Sequence, residues 1–448
     1  MSTLAVRTIQ TPDGQPVSFP NGIRIGSATG AGNINNIGVP GQQGFGVGIA
    51  PSLPSGMAKL YGTEDPASDN YGNYQYSDGS VMVYVPAFYY KYGTGANALA
   101  VNVCSVVPFN TYETVAAANA AGYALHRAFY NGGAVRPGFF VDKYLVSKNG
   151  SIASSLKNGI VLTSAIRGGL ADSQFSAVGA SNAFHGTFAV AKTRGASFFP
   201  KTQFMHGALA LLANAHASAA SGTTYCAWYS AGSTNFPKGN NNNALGDAND
   251  ATIAYTWDGN ATYAGCGKTG SANFFARTTH NGQNCGIADL NGLVWEISPI
   301  GLTSNGSNYF LLNTAVDVAT ITSGVSLATD AWGATGLAAM YTDLGTTYGP
   351  LTASSSNKIF GNAAQVISEA TSGTAWAMAG AGIPLVGGVG GSNQFGSDYM
   401  YDARPNEMCP IVGGGWDASS AAGVWAVHCD FSRGTSYAAG GVRSALYL

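Results

Sequence analysis

The sequence predicts an α+β fold dominated by short strands, and three observations lead there. Charged residues make up only 9% of the 448 positions, against about 25% in an ordinary soluble domain. Glycine fills 62 positions and Tyr, Phe and Trp together reach 11%. Short β-prone runs recur between Gly-, Asn- and Ser-rich turns, while helical periodicity is confined to two segments. Such a chain has few charges to lace long helices, so its polar surface must be hydroxyls, amides and backbone. Aromatic residues with Ser, Gly and Asn are the makings of an adaptable binding surface, and equally of a rigid structural protein. The length exceeds the roughly 250–300 residues at which single cores stop growing, so more than one domain is expected.

Taken in order, residues 1–55 are rich in Gly, Pro, Asn and Ile and show no helical period. They read as short strands and loops, or as an arm that orders against a neighbour. Residues 56–77 carry the aromatic turn "YGNYQY". "DGSVMVYVPAFYYKY" (78–92) is a turn followed by a strand, with Val81, Val83 and Val85 alternating with Met82, Tyr84 and Pro86. Pro86 favours a strand edge or end. "YETVAAANAAGYALHRAF" (112–129) predicts a helix passing into a strand, and "RPGFFVDKYLVSKNG" (136–150) a strand between Pro-Gly and Asn-Gly turns.

"PKTQFMHGALALLANAHASA" (200–219) is the clearest helix, with Phe204, Leu209, Leu211 and Leu212 near one face and Pro200 ahead of it. Beyond 220 the pattern is short strands in long loops. "NFPKGNNNNALGDAND" (235–250) and "GGVGGSNQFGSDYMYDARPNE" (387–407) read as loops long enough to be functional. The tail alternates β runs with turns.

Several classes of function fall away. Net charge is −2 and no basic tract exceeds two residues, so nucleic acid is not an expected partner. The start, "MSTLAVRTIQTPDG", is no secretory signal, and no run of 18 apolar residues suits a membrane span. Synthesis in a cytoplasm and no membrane insertion are the expectation. The six cysteines are scattered, so reduced structural thiols are expected. Cys266, His280 and Cys285 lack the paired spacing of a zinc site. "GCGKTG" (265–270) has Thr262 where a phosphate loop needs its first glycine, and neither GxSxG nor HExxH occurs.

"DLNGLVWEI" (289–297) poses the sharpest chemical question. The chain has only five Glu residues, and one of them, Glu296, sits in an apolar run. A buried carboxylate is costly unless backbone, a basic side chain or a cation meets it.

Four pieces recur in a recognisable order: Met82 to Pro86, Phe140 to Ser147, Gly292 to Glu296, and Gly413 to Trp416 with Gly441 to Arg443. Together they resemble the formylglycine-generating-enzyme-like branch of the C-type lectin fold, over roughly 78–448. The resemblance implies an α+β, C-type-lectin-like domain with long loop insertions, its first and last strands side by side. A small β-rich attachment or oligomerisation region, residues 1–77, would precede it. It also implies a calcium site formed by Asp289, the carbonyls of Gly292 and Val294, and Glu296; mixed carboxylate and carbonyl ligation suits that ion.

The enzymes of that branch use two nearby cysteines after the glycine-rich turn. Here that segment holds Cys429 alone, with Cys409 before the turn, so no oxidase and no catalytic residue is expected. A second branch, to which phage tropism determinants belong, displays ligand-binding side chains near the C-terminus. On that resemblance the chain is expected to be a tail fibre or baseplate protein of a virion, a homotrimer joined to other tail proteins. It would grip a host surface glycan or protein. Its display residues would be Trp416, Asp417, Ser419, Ser420, Trp425, His428, Asp430, Arg433 and Tyr437. A purely structural virion component, whether decoration or baseplate, is the alternative.

Overall fold

The Val81–Pro86 run does form a strand, and it is buried on both faces beyond Val81. The computed structural model explains why. It describes residues 34–92, 103–181, 183–231, 235–321, 338–349, 351–354, 356–359, 367–385, 395 and 398–448. The first of two six-stranded sheets runs Met57–Lys59, Asn73–Tyr76, Val81–Pro86, Gly138–Asp142, Ser444–Tyr447 and Phe199–Pro200, in that spatial order. All its pairings are antiparallel.

Side chains alternate across such a sheet, and here the alternation divides two cores. Val83, Val85, Phe139, Val141 and Ala445 face the main core. Met82, Tyr84, Phe140, Leu446 and Tyr74 face a smaller one, closed by Phe198, Ala191, Met57 and Ala50. A sheet covered on both sides needs apolar residues at every position, so this strand shows no polar face. The last strand lies one place from Val81–Pro86, with Gly138–Asp142 between them. The side-by-side placement that the resemblance implied is therefore corrected to one strand's separation.

The second sheet is mixed: Ser356–Ile359, Tyr399–Asp402, Val427–His428, Ile411–Val412, Trp295–Ile297 and Gly440–Gly441. Gly440–Gly441 and Ser444–Tyr447 are nearly contiguous, so the chain end ties the two sheets together. The α+β class holds. Part of the stretch expected to be a functional loop at 387–407 is strand Tyr399–Asp402; residues 386–394, 396 and 397 lie outside the described residues.

The helix predicted at 200–219 is Gln203–Ala219, capped by the Thr202 hydroxyl, which accepts from the Met205 amide at 3.0 Å. It is not amphipathic. Every residue from Gln203 to Ala217 is buried, making it a central strut covered on all sides and not only on the face of Phe204, Leu209, Leu211 and Leu212. At Gly207 the strut meets the helix Gly373–Gly380 so closely that a Cβ would lie 2.3 Å from the Gly380 carbonyl oxygen. Gly207→Ala should therefore destabilise the fold by about 1–3 kcal/mol in urea titration, although alanine is the better helix former. A stabilised variant would show that the two helices can move apart.

The boundary expected at 77/78 is not a domain boundary. Asn73–Tyr76 pairs directly with Val81–Pro86 across it. Phe45 stacks on His216 of the central helix at 5.3 Å, and the Gly41 amide donates to His216 Nδ1. Residues 34–76 are thus built into the body, while residues 1–33 lie outside those described.

The Asn-rich stretch 235–250 is also integral. Asn240 donates to the Gly265 carbonyl and accepts from the Gly267 amide. Asp247 accepts from the Gly239 amide and Asn241. Amide and carboxylate side chains here replace the strand partners that the backbone lacks, so the loop is fixed structure.

Candidate functional site

The outer face of the second sheet carries the chemistry that could meet a ligand. Tyr401 pairs in parallel register with His428, and His428 with Ile411 on the other side. In-register residues share a face, so the partly exposed Tyr399, Tyr401 and His428 gather there over the buried Trp295, Ile411 and Ile297, while Met400, Val427, Val412 and Glu296 point to the opposite side. His428 stacks on Tyr401 with centroids 5.2 Å apart and planes 27° apart. It meets Tyr399 edge-on at 5.1 Å and Trp295 at 4.8 Å. Its two ring nitrogens are held by the Tyr399 hydroxyl and by Asp430 at 3.1 Å.

Two exposed carboxylates rim this cluster. Burial, followed by the charges of Asp430 and Asp417, raises the Tyr399 hydroxyl above its ordinary value. Tyr437 is raised by burial and then by Asp417, with Tyr263, Asp430 and Tyr399 adding to it. Asp417, Asp430, Tyr399 and Tyr437 therefore share one neighbourhood. The result is an aromatic floor held by strands, with a negative rim on the turns and loops beside them. Stacked rings offer apolar faces to a ligand, and the carboxylates and hydroxyls offer hydrogen bonds to its polar groups.

Of the nine expected display residues, Asp417, His428, Asp430 and Tyr437 are brought together here. Ser419 and Ser420 are exposed on the adjoining short 3-10 turn. The other three are corrected to core positions. Trp416 is 5% exposed and packs on Tyr263. Trp425 is buried with its amide donating to Asp398. Arg433 is 2% exposed, its guanidinium lying against Phe184 and Tyr341. Sequence reasoning missed Tyr399 and Tyr401. The signal was the period-two "YMYD", hidden in a glycine-rich stretch read as loop.

The question of Glu296 has a direct answer. Lys201 Nζ lies 2.7 Å from one carboxylate oxygen and Arg443 3.4 Å from the other, all three groups buried. Burial alone would raise the carboxyl, but Arg443 and Lys201 overcome it and hold Glu296 at about 2. Burial lowers Lys201 to about 8, so the pair is ionised at neutral pH. His206 Nδ1 faces Lys201 Nζ at 2.8 Å. Arg443 also donates to the carbonyls of Asp142 and Ala288. Asp142 in turn accepts from Arg194 and the Ser444 amide. One buried ionic chain thus joins both sheets.

These residues do not fit a calcium ion. Glu296 already faces two cations. Both Asp289 oxygens are taken, one by the Thr269 hydroxyl and the Gly270 amide at 2.7 Å each, the other by Tyr255. Gly292 serves close packing: its φ is +118° and a Cβ would lie 2.5 Å from the Asn240 carbonyl oxygen. Val294 packs against Gly441. Calcium followed by chelator should leave the thermal midpoint unchanged; a calcium-dependent rise would overturn this.

Zinc has no better case. Cys266 faces Arg167, Cys285 faces Asn281, and His280 faces Gly46 and Ile287. All six cysteines are free and buried, and burial pushes the thiols of Cys409 and Cys429 up, away from the reactive thiolate.

No helix among the described residues is long and apolar enough to cross a membrane. No protein-family model and no curated protein matches the chain. A solved structure described as "Major Tropism Determinant U1 Variant" aligns over 89% of this chain and 73% of its own, at 12% identity and a TM-score of 0.30. That likeness is too distant to define the fold.

Proposed function

We propose that this protein is a non-enzymatic virion component of a phage tail that attaches to a host surface, and that the outer face of its second sheet makes the contact. The observation that supports the reading most is the His428–Tyr399–Tyr401 cluster with Asp417 and Asp430 at its rim. Rigid aromatic anchors lose little entropy on binding, and they are enriched where a few residues carry most of the affinity. The motif order noted in the sequence supports a lectin-like lineage. Assembly as a homotrimer with other tail proteins belongs to the same reading. The target would be a surface glycan or protein.

The test is whether labelled, purified protein binds intact bacterial cells of a host panel saturably. A protein that ignores every cell type but is found on particles by electron microscopy would be a structural brick. Turnover of any substrate would overturn the non-enzymatic part.

A further inference from the structure

A second cleft, unrelated to the aromatic sheet face, combines a positive charge with an exposed ring. It has a volume of about 540 Å³ and lies between the segments around Asp69, Lys143, Lys157, Phe274 and Asn284. That size suits a small ligand of one or two sugar rings, within the roughly 300–1,000 Å³ of ordinary ligand sites.

Its charge balance is unusual for this molecule. The whole chain has 20 basic residues and a net charge of −2, yet Lys143, Lys157 and Arg277 line this one cleft against the single carboxylate of Asp69. Each cation is placed differently. Arg277 pairs with Asp250 at 3.0 Å and lies 5.0 Å from the Phe274 ring centroid, so it braces the ring. Lys143 is 4% exposed and donates to Asn73 and to the Asn284 carbonyl, both at 2.6 Å. An ammonium has three protons, which leaves one beyond those two bonds. Lys157 is exposed, makes no ion pair among the described residues, and sits over Phe275 at 5.2 Å.

Phe274 is 49% exposed, one of few large apolar side chains open to solvent among the described residues. The cleft thus brings together the exposed Phe274 ring braced by Arg277, the Lys157 ammonium over the adjacent Phe275 ring, and the Asn70, Asn273 and Asn284 amides, each with one amide proton already donated within the protein, and offers three kinds of contact. They are a stacking face, a counter-charge and hydrogen-bond partners for hydroxyls.

We propose that this cleft binds a carboxylated sugar of the uronic-acid class. The apolar face of the pyranose would lie on Phe274, the carboxylate would meet Lys157 with Lys143 behind it, and the hydroxyls would meet the amides. This site is independent of the sheet face proposed above, and either can fail without the other.

Glucuronate, glucose and inorganic phosphate are the probes, titrated into the full chain and followed by calorimetry and by ligand-observed NMR. Glucuronate should bind saturably and at least tenfold more tightly than glucose. Phe274→Ala and Lys157→Ala should each remove most of that binding. Both side chains are exposed, so an unchanged melting midpoint is expected and separates lost contact from lost fold. Equal binding of glucose would overturn the role of the cation. Phosphate competing as well as glucuronate would reduce the cleft to a bare anion site and overturn the sugar. No glucuronate binding, or binding retained by Lys157→Ala, would overturn the whole assignment.

Discussion

Glu296→Gln is expected to cost about 3–5 kcal/mol of folding stability, the range seen when one partner of a buried ion pair is removed. The side chain keeps its size, so no cavity accounts for the loss. What remains is Lys201 and Arg443, both buried, facing a neutral amide. Lys201 suffers most, because its other close partner is His206, which burial and Lys201 itself hold well below its ordinary value. Arg443 keeps its bonds to the Asp142 and Ala288 carbonyls.

The same residue makes the loss depend on pH. Glu296 titrates at about 2 in the folded chain, against an ordinary 4.5. As pH falls, the unfolded chain binds the proton first, so the contribution is complete above pH 4.5 and is lost on the way down to 2. A depression of this size corresponds to about 3 kcal/mol. The gap between wild type and Glu296→Gln in chemical denaturation should therefore narrow by that order between pH 5 and pH 2. A gap below about 1 kcal/mol at pH 7, or one that does not narrow in acid, would show that the triad is not what holds the sheets together.

The elements legible in the sequence were those whose signal is local. The period-two run at Val81–Pro86 and the apolar periodicity with Pro200 ahead of it at 200–219 needed no tertiary information to be found. Their burial did. The central helix is covered on every side because neighbouring segments fold over it, and a partly amphipathic sequence pattern cannot report that. The partner of Glu296 is 147 residues away at Arg443, beyond any spacing rule, although basic side chains were among the partners the residue demanded. Trp416, Trp425 and Arg433 looked like display residues because they fall in the C-terminal segment that the resemblance makes the binding part and are of the types that anchor a ligand. All three lie on turns outside the strands, and their side chains fold inward, Trp416 onto Tyr263 and Arg433 against Phe184 and Tyr341. Tyr399 and Tyr401 were overlooked for the converse reason: a short strand embedded in glycine-rich chain resembles a loop.

That inversion fixes which substitutions test the binding reading. Tyr401→Ala with His428→Ala should weaken attachment to host cells by about a thousandfold, since two anchor residues at about 2 kcal/mol each on truncation sum to about 4 kcal/mol and each 1.4 kcal/mol is about tenfold. The fold should survive. His428 has 18% of its side chain exposed, and the strands beneath are held from the other face by Met400, Val427 and Val412. Trp425→Ala, by contrast, should lower the melting midpoint because it empties a core position, and any loss of attachment in that variant reports folding. Tyr61→Ala supplies the opposite control. Tyr61 is 98% exposed on the turn before Asn73–Tyr76, with Glu64 and Asp65 close by but, among the described residues, without the stacked rings that surround His428. If a solitary surface aromatic were enough for attachment, its removal would matter as much as that of Tyr401. If the cluster is what grips, Tyr61→Ala should attach like wild type while the double variant, equally stable, does not.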